Sequence, residues 1–193
     1  MKRLVVFASG SGTNLQSIID VIDRGHIDAT ITGLITSRKG VGALERAKVA
    51  EIKTAVIPPD STNFASAIME KLSDWRPDLI VLAGYTALIP GEVIQAYKNQ
   101  IINIHPALLP RFGGKGFYGR KVHEAVLESG ADHSGCTVHY VTEEYDRGPI
   151  IAQREVPVYA DDTAETLARR VLAMEHSLYP EVIAKLISGK SAT

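Results

Sequence analysis

Short apolar runs alternate with amphipathic stretches through the first hundred residues, and this alternation constrains the fold more than any other feature. The apolar runs predict buried strands over residues 4–8, 31–36, 55–57, 79–83 and 101–104. The stretches between them predict helices over residues 14–24, 42–51, 65–75 and 90–97. Continuous apolar strands that alternate with helices are typical of a parallel sheet covered on both faces. The pattern therefore predicts an α/β fold with a Rossmann-like, open, twisted and mostly parallel sheet.

The pattern changes after residue 106. Residues 107–120 are rich in glycine and proline and predict a long irregular loop, followed by a helix over 121–128. Two strands are expected at 136–141 and 150–158, and alternating polar and apolar residues over 137–141 favour a half-exposed, antiparallel pair. A long amphipathic helix is predicted over 163–187, with Asp161 or Asp162 as its N-cap. No linker interrupts the chain, so we expect one domain over residues 1–193.

Composition excludes several classes of function. Lys and Arg number 21 against 22 Asp and Glu, a net charge of -1, so the chain has no broad positive field for nucleic acid or a membrane surface. The apolar runs 4–8 and 79–84 are too short for a secretory leader or a membrane span. Cys136 is the single cysteine, so no intrachain disulfide can form, which favours a reducing compartment. We expect a soluble cytoplasmic protein.

The first candidate site is the run Ser9-Gly10-Ser11-Gly12-Thr13-Asn14, which joins the first strand to the first helix. Glycines let the backbone turn tightly there, so that N–H groups at the helix N-terminus can face an anion such as a phosphate. As a dinucleotide fingerprint the run is incomplete, because Leu15 stands where the third glycine belongs, and it lacks the Lys-Ser/Thr ending of a P-loop. A merely tight strand-to-helix turn is the alternative.

The second candidate site is Asn103-Ile104-His105-Pro106, at the end of an apolar strand. If Ile104 points into the core, the period of two residues places Asn103 and His105 together on the opposite face. The carboxyl ends of strands border the ligand crevice in open α/β sheets, and an amide beside an imidazole suits acyl-type chemistry. A structural histidine that caps the strand is the alternative.

Asp146, in the turn 143–149, supplies a third candidate group, because a carboxylate close to His105 would favour the imidazolium form. Asp, Gly and Pro are also common in turns for purely conformational reasons, which is the alternative interpretation of this segment.

The other candidate residues carry weaker signals. The remaining histidines form no HExxH pattern or tight ligand cluster, so no metal site is expected. Cys136 lies within an apolar strand and is expected to be a small core residue. The basic, glycine-rich loop 111–120 is either an anion-gripping lid or a solvated loop.

In this order, the motifs resemble the phosphoribosylglycinamide formyltransferase family, a branch of the folate-dependent formyltransferase superfamily. The resemblance rests on residues 9–16, 82–85, 103–110, 135–139, 146–150 and 175–176, which run from the first strand to the last helix. The block 103–110 with Asp146 is shared across the superfamily, whereas the start 9–15 narrows the match to the glycinamide branch and its deformylase relative. Relatives that act on methionyl-tRNA or deformylate the folate carry an extra domain, for which 193 residues leave no room.

The resemblance implies that 10-formyltetrahydrofolate, as co-substrate, gives its formyl group to the glycyl amine of 5′-phosphoribosylglycinamide. It divides the domain into a nucleotide-binding half, residues 1–105, and a folate-binding and catalytic-loop half, residues 106–193. The catalytic trio would be Asn103, His105 and Asp146; Gly12, Thr13 and Asn14 would hold the substrate phosphate, and Glu175 would contact the ribonucleotide. The folate pocket would comprise Thr86, Ala87, Leu88, Ile89, Asn103, Thr142, Glu143, Glu144, Tyr145 and Asp146. No metal, nucleic-acid or membrane partner is implied, and a monomer or homodimer is expected.

The implied chemistry is attack of the amine on the formyl carbon. Asn103 and a protonated His105 would stabilise the oxyanion, His105 or a bound water would move protons, and Asp146 would keep His105 protonated and position the water. Three features depart from the family pattern. Gly113 stands in a loop where the family usually has Phe-Pro-Gly, and it is expected to loosen that loop. Leu172 replaces a glutamine that reaches the phosphate in some members, and residues 60–65 lack an arginine that some members have near the folate tail.

Two rival functions remain open. One is the same chemistry with another acceptor, either a sugar-nucleotide amine or water. The other is a non-catalytic nucleotide-binding module that uses the turn at residues 10–14.

Overall fold

The computed structural model describes residues 1–189. Its strands are β1 (Lys2–Ala8), β2 (Ala29–Thr36), β3 (Thr54–Val56), β4 (Leu79–Leu82), β5 (Ile101–His105), β6 (His133–Tyr140) and β7 (Ile150–Pro157). They form one sheet in the order β3-β2-β1-β4-β5-β6-β7. Strands β1 to β5 run parallel to one another, β6 pairs antiparallel with β5, and β7 pairs antiparallel with β6. The predicted mostly parallel sheet with an antiparallel C-terminal region is confirmed.

Helices cover both faces of this sheet, as the alternating pattern predicts. They are α1 (Thr13–Asp23), α2 (Gly42–Val49), α3 (Phe64–Trp75), α4 (Gly91–Ala96), α5 (Arg120–Glu128) and α6 (Ala164–Ile187). On one face, α1 and α6 bury Leu15 and Leu178 in a first core cluster; on the other, α3 and α4 bury Leu72 and Val93 in a second. Within residues 1–189, no helix combines the length and apolar character that crossing a membrane requires.

The period of two residues decides which side chains of β5 reach each face. Ile102 and Ile104 lie in the core cluster beneath α1 and α6, whereas Ile101 lies in the cluster on the other face. Asn103 and His105 therefore share the face of Ile101. Since β5 runs parallel to β4, both side chains lie at the carboxyl edge of the parallel strands, where ligands bind in open α/β sheets.

Two details differ from the sequence predictions. Helix α6 is capped by Thr163 rather than by Asp161 or Asp162, because the Thr163 hydroxyl accepts the N–H of Thr166 in a capping box. The Asp162 carboxylate accepts the Thr166 hydroxyl instead. Strand β6 is buried nearly throughout rather than half-exposed, because α6 packs against it and residues 107–109 bond to its other side; the edge strand β7 is the half-exposed one.

Candidate active site

The turn from β1 into α1 brings backbone N–H groups to the carboxyl edge of the sheet. Gly12 precedes α1 with a φ of 75°, and a Cβ atom there would lie 2.7 Å from the Cα of Ala43, so the position requires glycine. Because Gly12 has no side chain, the first N–H groups of α1, at Thr13 and Asn14, receive no cap from it. This end of the helix carries a partial positive charge and is suited to an anion.

Asn14 and Glu175 form a buried pair beside this turn, although they lie 161 positions apart. Asn14 Nδ2 donates to Glu175 Oε2 over 2.7 Å, and within residues 1–189 the buried Asn14 Oδ1 has no hydrogen-bond partner. Burial raises the pKa of Glu175 from 4.5 to about 7, while the hydrogen bond from Asn14 acts to lower it. An unpaired acceptor and a carboxyl group that titrates near neutral pH together suit a ligand rich in hydroxyl groups.

Asn103, His105 and Asp146 meet at the end of β5. Asp146 belongs to the loop between β6 and β7, and its Oδ2 atom lies 3.5 Å from His105 Nδ1. Its other carboxylate oxygen, Oδ1, lies 3.5 Å from Asn103 Nδ2. Asp146 has a left-handed backbone, φ 54°, which is uncommon for a residue other than glycine and frequent at functional sites. The loop is thus bent so that its carboxylate reaches both side chains of β5.

The loop after β5 closes over this group from the other side. His105 Nε2 lies 2.8 Å from the carbonyl oxygen of Phe112, and the N–H of Gly114 donates to Asp146 Oδ2 over 2.9 Å. Only 4% of His105 is exposed, so its charge depends on these neighbours more than on solvent. The sequence analysis did not identify Phe112 and Gly114 as part of the site, because backbone contacts leave no signal in residue type.

The charge state of His105 differs from the expectation. Burial lowers the pKa of His105 below its usual 6.5, although the Asp146 carboxylate and the Phe112 carbonyl act to raise it. Burial alone would raise the pKa of Asp146, but the charge of His105 and the Gly114 N–H hold it below its usual 3.8. Near pH 7 the substrate-free site therefore holds a carboxylate beside a neutral imidazole. The prediction that Asp146 keeps His105 protonated is wrong for this state.

A second histidine, His139 of β6, belongs to the same group and was not predicted. Its Nδ1 donates to the Tyr140 carbonyl oxygen over 2.9 Å, which leaves Nε2 to accept from Asn103 Nδ2 at 3.1 Å. The same Nε2 lies 3.5 Å from Asp146 Oδ1. His139 pairs directly with Asn103 in the β5–β6 register, so the pairing of these two strands was the signal that could have identified it.

The two predicted folate segments lie on the face of β5 that carries Asn103. Ile89 is buried in the second core cluster, and Ala87 and Val141, which directly precedes the segment 142–146, pack against it. The outer members of both segments are solvent-accessible: Thr86, Leu88, Glu143 and Glu144 are exposed, while Thr142 and Tyr145 are half-buried. The arrangement leaves a surface with an apolar base and a polar rim. Beside it lies Tyr85, whose buried hydroxyl has no hydrogen-bond partner within residues 1–189.

Gly113 lets its loop approach the catalytic trio closely. A Cβ atom at this position would lie 2.4 Å from Leu109 Cδ2 and 3.2 Å from Asp146 Cβ, so the absence of a side chain lets the loop pack against Asp146.

Cys136 is a core residue, as the sequence predicts. It is fully buried, and burial raises the pKa of its thiol to about 12. Over the described part of the chain, no three His, Cys, Asp or Glu side chains are grouped as a metal site.

Comparison with known proteins identifies the family. The sequence matches the model described as Formyl transferase over residues 2–183. The chloroplastic phosphoribosylglycinamide formyltransferase of Arabidopsis thaliana is 48% identical over 94% of this chain, and that of Bacillus subtilis (strain 168) is 39% identical over 97% of this chain and 95% of its own length. This chain spans 64% of the Arabidopsis protein and 61% of its Vigna unguiculata counterpart, less than two thirds of each. The crystal structure of glycinamide ribonucleotide transformylase 1 from Symbiobacterium toebii, 42% identical, has a TM-score of 0.92 and covers 100% of this chain and 91% of that chain. Because these matches extend over almost the whole sequence, the chain belongs to the formyl transferase family.

Proposed function

We propose that this protein transfers the formyl group of 10-formyltetrahydrofolate to the glycyl amine of 5′-phosphoribosylglycinamide, giving the N-formyl product and tetrahydrofolate in purine biosynthesis. The observation that carries the proposal is the meeting of Asn103, His105 and Asp146, in which the amide and the imidazole both lie 3.5 Å from the carboxylate. An amide donor, a proton carrier and a charged partner are the groups that acyl transfer to an amine uses. Membership in the formyl transferase family supports the same reaction.

Asn103 acts on the charge that develops during the reaction. As the amine nitrogen attacks the formyl carbon, the carbonyl oxygen gains negative charge, and an N–H of Asn103 donates to it. Asn103 Nδ2 carries two hydrogens, of which one is donated to His139 Nε2 at 3.1 Å. The contact of Nδ2 with Asp146 is long, at 3.5 Å, so the second hydrogen is weakly held and can be donated to the oxygen instead. One such donor contributes about 10²–10³ in rate.

His105 carries the proton. The neutral imidazole takes the proton that the attacking amine loses, and the imidazolium formed is stabilised by the carboxylate of Asp146. It then gives the proton to the folate nitrogen as the bond from that nitrogen to the formyl carbon breaks. The amine loses one proton and the folate gains one, so the exchange balances. Positioned acid–base catalysis contributes about 10²–10⁴ in rate.

The substrates are assigned to the two sides of this trio. The phosphate would bind the N–H groups at Gly12, Thr13 and Asn14, and Glu175 would accept hydroxyl groups of the ribonucleotide. The folate would lie over residues 86–89 and 142–146. These assignments cross the proposed boundary between halves 1–105 and 106–193, since Glu175 would bind the nucleotide and residues 86–89 would bind the folate.

The cytoplasmic location stays a prediction, because the Arabidopsis relative is chloroplastic.

The test follows tetrahydrofolate release by absorbance, from a 10-formyl folate, with and without 5′-phosphoribosylglycinamide. The proposal predicts release that requires the ribonucleotide and yields an equal amount of N-formyl product. Release at the same rate without the ribonucleotide would identify a deformylase, and release that requires a different sugar-nucleotide amine would change the acceptor. No release under any condition would leave a nucleotide-binding module as the function.

A further inference from the structure

Phe112 has a backbone conformation that an aromatic residue rarely adopts. Its φ is 56°, in the left-handed region, which costs about 1–2 kcal/mol for a residue with a side chain. Glycine would relieve this strain, and Gly113 follows directly. The left-handed turn sends the Phe112 carbonyl oxygen inward, where it lies 2.8 Å from His105 Nε2.

This contact defines the tautomer of His105. A carbonyl oxygen can only accept, so His105 Nε2 must carry the hydrogen. In the neutral imidazole, Nδ1 then has the free lone pair, and it faces Asp146 Oδ2 at 3.5 Å. The nitrogen on the side of the carboxylate is therefore the one that can gain or lose a proton without breaking the contact with the loop.

We propose that Phe112 is a positioning residue whose left-handed backbone fixes His105 as the Nε2–H tautomer, so that Nδ1 alone moves the proton during catalysis. The inference rests on the proposed function only for the identity of the reaction. Nδ1 takes the proton from the attacking amine and gives it to the leaving folate nitrogen, while Nε2 keeps its hydrogen throughout. The imidazolium stage is then bonded on both sides, to Phe112 and to Asp146.

The ring of Phe112 explains why a strained residue is kept there. It packs against the core cluster beneath α1 and α6, and the Arg111 guanidinium lies 4.8 Å from its centre. These contacts hold the turn in place while the backbone contacts His105. The titratable groups that face His105 are Asp146, His139 of β6 and His123 of α5.

The experiment separates the carbonyl from the ring by comparing Phe112→Gly, Phe112→Asn and Phe112→Val. Glycine and asparagine adopt left-handed backbone readily but lack the ring, whereas β-branched valine is apolar and disfavours that conformation. We expect kcat to fall about 10-fold or more in Phe112→Val and less in the other two, with both KM values little changed. The opposite order, with valine the most active, would show that the ring alone matters and overturn the proposal.

A spectroscopic measurement tests the tautomer without any turnover. The ¹⁵N resonances of His105, assigned by their loss in His105→Ala, should report Nε2–H in the substrate-free protein and in Phe112→Gly and Phe112→Asn at mildly alkaline pH. A mixture of tautomers is expected in Phe112→Val. If that variant does not fold, the comparison of the unmodified protein with Phe112→Gly and Phe112→Asn decides the test. A hydrogen on Nδ1 in the unmodified protein would overturn the inference even if formyl transfer is demonstrated. Conversely, the Nε2–H signature would stand even if another acceptor proves correct.

Discussion

Replacing Glu175 with glutamine removes an ionisable group from the protein interior with little change in shape. Glu175 is 6% exposed, lies on α6 and accepts a hydrogen bond from Asn14 Nδ2 over 2.7 Å. The glutamine carbonyl can accept the same bond. The variant therefore isolates the cost of ionising this carboxyl group.

The magnitude follows from the pKa of Glu175, which burial raises from 4.5 to about 7. Below the ordinary pKa both folded and unfolded chains hold the proton, so the charge costs nothing. Between the two values the unfolded chain ionises first, and above the folded pKa the full cost is present. At about 1.4 kcal/mol per pKa unit, the glutamine variant should gain about 3 kcal/mol in the free energy of unfolding at about pH 8 and almost nothing at about pH 4.5.

Urea unfolding at these two pH values measures the difference directly. The matched control is Glu165→Gln on the same helix, because the Glu165 side chain is 79% exposed and its ion pair with Arg169 contributes little. We expect the stability of the control to change by less than about 0.5 kcal/mol at both pH values. Equal stability of Glu175→Gln and the unmodified protein at alkaline pH would refute the reasoning. The same variant should have a higher KM for the ribonucleotide, since its carboxylate is assigned to that substrate.

Two further predictions concern the proposed catalytic site and the proposed phosphate site. Asp146→Asn removes the charge that acts to raise the pKa of His105, so kcat should fall and the acid limb of the pH–rate profile should move to lower pH; an unmoved limb would show that another group tunes the imidazole. Asn14→Leu removes the hydrogen bond to Glu175 and crowds the start of α1, so the KM for the ribonucleotide should rise about 10- to 100-fold with the folate KM unchanged. Equal increases in both KM values would place Asn14 outside the ribonucleotide site.

Hydrophobic pattern predicted most of the fold because it is local. Buried parallel strands contain continuous apolar runs, so β1 and β4 stand out from the sequence. The same pattern places Asn103 and His105 on one face of β5, since alternation along a strand needs no tertiary information. Resemblance to a known family then linked them to Asp146, which sequence spacing alone could not do.

The remaining features depend on contacts between distant segments. The neutral state of His105 results from burial, which no residue type reveals, and the bonds from Phe112 and Gly114 are made by the backbone. His139 becomes part of the site through its register with Asn103. Strand β6 resembles a half-exposed strand in sequence, yet it is buried because α6 covers one of its faces and residues 107–109 cover the other.

The most direct test of the account is formyl transfer by His105→Ala, with His133→Ala as the control. His133 is an exposed histidine at the start of β6 whose ring pairs with the neighbouring Asp132, so its loss should leave turnover unchanged. If His105 carries the proton between the amine and the folate nitrogen, His105→Ala should lose at least about 10²-fold in kcat while it unfolds cooperatively like the unmodified protein. Near-normal turnover in His105→Ala would contradict the central role given to this residue.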